Sequence, residues 1–156
     1  MKSQELKIQL QRINSIFTRS AEASSGNVEL LAHWARYICV LSAGFLENSL
    51  QEIYSEFVQS AASEPVRNYA ISSLSKIHNP KTNRFIEVAH SFKKSWGEDL
   101  TAFVDEGGRR EAIDSIMHNR HQIAHGKTSG VTVARVREYL DKSVGVIEFI
   151  EKQCGL

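Results

Sequence analysis

Between Glu111 and Gly126 the sequence EAIDSIMHNRHQIAHG gathers three histidines and an arginine on one predicted helix. Imidazoles take up or release a proton near neutral pH, and a guanidinium stabilises concentrated negative charge with a planar fork of donors. At about 100° per residue, Asp114, His118, His121 and His125 fall within about 60° of one another. Arg120 falls elsewhere, near the middle of an apolar stripe made by Ile113, Ile116, Met117, Ile123 and Ala124. A buried, unpaired guanidinium costs several kcal/mol, so Arg120 must meet an acidic partner or face a cleft or a second chain. Gly126 is a natural stop for this helix, which puts His125 in its last turn, where the helix dipole favours a protonated imidazole. Lys127 follows as a further cation.

The elements that must position these residues read as helices throughout. The chain has 156 residues, the length of one domain, and we expect residues 1–156 to fold as such. Its 42% hydrophobic and 24% charged content is that of an ordinary globular protein, and no stretch is apolar for long enough to span a bilayer. With no signal peptide recognisable at the start, a soluble cytoplasmic protein is the expectation. The formal net charge of +1 gives no global reason to bind nucleic acid, so a polyanion would have to meet a local patch.

Helix formers dominate and only two prolines interrupt them. A first helix is expected from Ser3 to about Ala23, on the stripe Leu6, Leu10, Ile13 and Phe17. Asn27 caps a second, long helix from about Val28 to Ala62. Its middle, WARYICVLSAGFLENSL, is apolar nearly all round and implies burial against several neighbours, with Cys39 in the core and Gly44 marking close approach of another helix. Glu47 follows that apolar run. Two readings stay open for it: a buried pair with Arg120, or the first residue of a solvated face. A third helix starts at Ser63-Glu64-Pro65 and ends near His78. Short helices are expected over Thr82 to Phe92 and Gly97 to Glu106, stopped by Gly107-Gly108. Here Arg84, His90, Lys93 and Lys94 make either a solvated face or a phosphate-binding rim. The last helix, VARVREYLDKSVGVIEFIEKQC, is capped by Thr132. The fold class is therefore all-α, an up-and-down bundle of four to five main helices with short extra ones.

Several chemistries are set aside. His121 and His125 are four apart and could share a metal, but the metalloprotease glutamate is missing and Cys39 and Cys154 are remote. No metal or other cofactor is expected. There is no Gly-x-Ser-x-Gly turn and no phosphate-cradling glycine loop. Arginine with histidine does suit RNA transesterification. The ribose 2′-hydroxyl must lose a proton to attack the adjacent phosphorus, the leaving 5′-oxygen must gain one, and the phosphorane between them gathers negative charge.

Arg120-His121-Gln122-Ile123-Ala124-His125 resembles the Arg-x4–6-His motif of the HEPN superfamily, with His121 as the polar residue that follows the arginine and IAHG as a family-like ending. LSAGFLENSLQEIY is similar to the family's central helix, whose acidic residue would be Glu47. The whole pattern is closest to the RiboL-PSP type. The resemblance implies a helical bundle that forms a homodimer, and a metal-independent endoribonuclease whose two motifs face one cleft. It implies Arg120 and His125 as the catalytic pair with His121 helping, and Glu47 as a supporting acidic residue; His118, Asp114 and Lys127, close to the motif in the sequence, are expected in binding or supporting places. A toxin or defence-system effector, with RNA as substrate and a cognate antitoxin or other defence protein as partner, is the implied setting. The rival reading is a non-catalytic HEPN-like module that binds RNA, a nucleotide or a partner protein.

Overall fold

The computed structural model describes residues 1–156 and contains seven helices and no strand. They are α1 (Gln4–Ser24), α2 (Val28–Ala61), α3 (Glu64–Leu74), α4 (Thr82–Phe92), α5 (Lys94–Val104), α6 (Arg109–Ala124) and α7 (Val133–Gln153). Four are long and three are short, which matches the all-α bundle read from the sequence. Side-chain caps start three of the four long helices: Ser3 accepts from the Leu6 N–H, and Asn27 and Thr132 accept, as expected, from Leu30 and Arg135.

The 34-residue α2 is the axis of the molecule, packed by α1, α3, α6 and α7. That is why its middle is apolar nearly all round: Ile38, Leu46, Leu50 and Ile53 are all buried. Chain directions alternate. α1 runs back along α2, so that Asn48 Nδ2 donates to Gln9 Oε1 at 3.3 Å. The buried Glu151 near the end of α7 accepts from the Lys2 N–H beside the start of α1, at 2.8 Å. At the other end of the bundle Arg137 of α7 stacks over the Phe17 ring of α1, 4.1 Å from its centroid. α6 and α7 form a hairpin, and α6 is antiparallel to α2. Cys39 Sγ of α2 donates to the Ile116 carbonyl of α6 at 3.6 Å. Burial pushes the Cys39 thiol up to about 12, so it is an inert core group.

Three local expectations need correction. α3 ends at Leu74 and not near His78, because the chain must leave the helix for Ile77 to reach the core. The following turn is tied to α2, with Gln51 Nε2 donating to the Ile77 carbonyl at 2.8 Å and Asn79 in a left-handed conformation. α5 starts at Lys94, three residues before Gly97, since Lys93 alone adopts extended backbone between α4 and α5. The close approach expected at Gly44 occurs instead at Gly97. Gly44 is exposed and has open space where a Cβ would sit. A Cβ on Gly97 would come within 2.6 Å of His90 Cβ.

That contact locks the α4–α5 corner. Gly97→Ala should therefore destabilise the fold by about 1–3 kcal/mol, because backbone or His90 must shift. Urea denaturation followed by circular dichroism measures it, and a variant as stable as the parent would show that the corner yields freely. Gly44→Ala should cost nothing, and the better helix propensity of alanine should raise stability by up to about 1 kcal/mol.

Candidate active site at the end of α6

α6 buries Ala112, Ile113, Ile116 and Met117, and its next inward-facing position is Arg120. Past Met117 the covering thins: Arg120 and Ile123 are half-buried and Ala124 is exposed. The arginine thus sits where the apolar stripe opens to solvent. Its guanidinium has no hydrogen bond and no ion pair.

The buried pair between Glu47 and Arg120 does not form. Arg120 is level with Cys39, whose thiol is close to the Arg120 backbone. Glu47 lies eight residues further along α2, about 12 Å along the axis at 1.5 Å per residue, and α6 runs the other way. Its carboxylate instead accepts from the Asn79 N–H and lies 3.4 Å from His78 Nδ1. Glu47 holds the turn between α3 and α4, and Arg120 is left without a counter-ion.

The helix ends in a Schellman motif. The Gly126 N–H donates to the Ile123 carbonyl at 3.1 Å and the Lys127 N–H to Gln122 at 2.9 Å. Gly126 is left-handed at φ +65°, a conformation that costs other residues about 1–2 kcal/mol. His125 is the C-cap at φ −95° and ψ 14°, already out of the helical conformation. Positions five apart on an ideal helix diverge by about 140°, and His125 keeps its ring beside that of His121, one helical turn back. The loop beyond is fastened by a feature the sequence reading did not single out. Ser129 Oγ donates to Asn119 Oδ1 at 2.8 Å, and Asn119 Nδ2 donates to the Ser115 carbonyl at 2.8 Å. A lone Asn on a helix and a Ser in a loop give no joint signal until the hairpin closes.

The His121 and His125 rings lie with centroids 4.4 Å apart, tilted by 57°. Both are exposed, as are His118 and Lys127. Partial desolvation and the neighbouring His125, Lys127, His118 and Arg120 hold His121 below the usual histidine range. Such a ring is neutral at pH 7 and able to accept a proton. Asp114 is engaged elsewhere: its Oδ1 accepts from the Thr82 N–H at 2.8 Å and so caps α4, which has no cap of its own. A groove of about 580 Å³ runs between Lys81, Asp105, Arg110, Asp114 and Asn119 up to His118. Arg84 pairs with Glu87 and Lys94 with Glu98, so these two cations read as a solvated face. No group of three or more His, Cys, Asp or Glu side chains is placed to hold a metal ion.

An arginine and an imidazole pair at a helix end closed by glycine, inside a helical bundle, is a specific combination. The model of the family RiboL-PSP-HEPN matches residues 4–155. The chain belongs to this family. HEPN domains carry RNase-like or nucleotide-binding roles, and many bind RNA and dimerise. Neither a comparison with curated proteins nor one with solved structures finds a match. No helix of this HEPN chain is long and apolar enough to cross a membrane.

Two outcomes follow from the geometry. Glu47→Ala should cost about 1–2 kcal/mol for a lost charged cap on a half-buried turn. A stranded buried arginine would cost about 3–5 kcal/mol, so chemical denaturation separates the two arrangements. By NMR, His121 should titrate below the ordinary value of about 6.5, and Lys127→Ala should move it upward. A His121 that titrates at the ordinary value in both proteins would contradict the charge cluster.

Proposed function

We propose that this HEPN chain is a metal-independent endoribonuclease that cleaves single-stranded RNA by attack of the ribose 2′-oxygen. The observation that carries this reading is the unpaired, half-buried Arg120 beside two exposed imidazoles on one helix end. A guanidinium without a carboxylate is wasteful in a scaffold and useful where negative charge develops.

In this reading a neutral imidazole takes the 2′-hydroxyl proton, and the 2′-oxygen bonds to phosphorus. The five-coordinate phosphorane carries extra negative charge on its non-bridging oxygens, which Arg120 stabilises through paired N–H donors. His125 gives a proton to the leaving 5′-oxygen as the P–O5′ bond breaks. The products are a 2′,3′-cyclic phosphate and a 5′-hydroxyl. His121, held neutral by its neighbours, is the helper that accepts or relays the first proton. Asp114 and Glu47 act through the fold alone, by fixing the start of α4 and the turn before it.

A second copy of the chain completes the cleft in this proposal. Many HEPN domains dimerise, and a two-fold contact brings the α6 ends of two copies together. Residues 1–156 form one domain in each copy. Action as a toxin or defence effector on cytoplasmic RNA, restrained by a cognate antitoxin, is the biological setting that such an activity implies.

Arg120→Ala and His125→Ala should each lower RNA cleavage by at least about 100-fold while the helical circular dichroism stays intact. His118→Ala should do much less, as it points into the groove on the Asp114 side. Cleavage should persist in excess EDTA and vanish when the nucleotide at the cut site is 2′-deoxy. Equal cutting of the 2′-deoxy strand, or activity restored only by a divalent metal, would sink the mechanism. Light scattering at micromolar concentration should give a dimer.

A further inference from the structure

We infer that Arg36 of α2 is a second phosphate-binding guanidinium, and that Arg36 and Arg120 together hold the backbone of a single-stranded RNA at the seam between α2 and α6. This rests on the RNA-cleaving reading above and adds a binding residue that the Arg-His motif does not contain.

Arg36 shares the anomaly of Arg120. It interrupts an apolar run, is half-buried, and makes no ion pair. Its Nε is buried without any hydrogen-bond partner. A desolvated donor of this kind is costly to the free protein, and an anion that accepts from the guanidinium relieves the cost.

The two arginines lie on one side of one seam. Cys39 marks where α2 meets α6 at Ile116. Arg36 precedes Cys39 by one turn, about 4.5 Å, and because the helices are antiparallel that step leads toward the C-terminal end of α6. Arg36 is turned by about 60° from Cys39, and Arg120 by about 40° from Ile116. In an antiparallel pair, rotations of the same sign lead to the same side. On that side α2 is uncovered: Tyr37 is 51% exposed, and His33, Val40 and Gly44 are exposed with it.

No carboxylate pairs with Arg36 or Arg120. The sequence has no Asp or Glu from Leu30 to Leu46 or from Ser115 to Arg137, while those spans hold His33, Arg36, His118, Arg120, His121, His125, Lys127, Arg135 and Arg137, of which Arg135 pairs with Glu138 just beyond the second span. A chain with a net charge of +1 thus concentrates cations at one end of the bundle. Two forked guanidiniums within about one turn suit the non-bridging oxygens of a phosphodiester or of two successive ones. The exposed Tyr37, set edge-on to Trp34 with centroids 6.1 Å apart, offers a face for a neighbouring base.

The test uses Arg36→Met and Arg36→Lys with two probes, a cleavable single-stranded RNA and the same sequence in 2′-deoxy form. Arg36→Met should weaken binding of the 2′-deoxy strand about tenfold at low salt. It should also flatten the plot of log affinity against log salt by about 0.7. For RNA, KM should rise by a similar factor with kcat within about threefold, and Arg36→Lys should recover only part of the loss. The melting temperature of Arg36→Met should equal or exceed that of the parent, since an unpaired charge has been removed. A variant that melts several degrees lower yet binds and cleaves like the parent would make Arg36 structural and overturn the inference. If the parent binds the 2′-deoxy strand through Arg36 but cuts no RNA, the two-arginine site stands and the nuclease reading falls. A parent that does not bind the strand removes both.

Discussion

The register between α2 and α6 decides what the other charged groups can do. It is set where the buried Cys39 gives its thiol hydrogen to the Ile116 carbonyl. From that point the antiparallel geometry assigns every neighbour. Arg120 lands one turn beyond Ile116, at the rim of the core. Arg36 precedes Cys39 by one turn, and Glu47 follows it by two, where its carboxylate is taken by the turn between α3 and α4. Had α6 run parallel to α2, Glu47 would have come toward Arg120 and the charge would have been neutralised in the scaffold. The direction of one helix is therefore what separates a structural ion pair from an available cation.

Local signals in the sequence translated directly. Ser3, Asn27 and Thr132 cap where Ser, Asn and Thr should. Gly126 ends α6 in the left-handed conformation expected of a glycine after a helical run. The stripe on α6 placed Arg120 correctly on the inward face, because periodicity fixes rotation about a helix axis. Periodicity says nothing about sliding along that axis. For that reason the Glu47–Arg120 pairing was plausible by chemistry and wrong by about 12 Å of translation. Asp114 shows the same limit: on the helix wheel it joins the histidines, while in the fold a neighbouring helix start, uncapped by its own residues, claims its carboxylate.

Arg36 was visible in the sequence too, as one of the charges that keep the middle of α2 from reading as a membrane span. What the sequence withheld was its lack of a partner. Half-buried arginines are ordinary when paired, and pairing is a three-dimensional property. The absence of acidic residues over both spans was legible in one dimension. It acquired meaning only when the fold set the two spans side by side.

Arg120 lies on the inward stripe of α6 and the His121 and His125 rings lie on its outward face, so the end of the helix is where one ligand meets both kinds of group. The two rings stay together at that end, with centroids 4.4 Å apart. Gly126 turns the chain away there in the left-handed conformation, and Asn119 and Ser129 fasten the loop that follows. A further turn of α6 would put backbone and side chains where solvent now reaches the rim around Arg120. Stopping the helix directly after His125 therefore keeps the half-buried guanidinium and both imidazoles open at one end of the bundle.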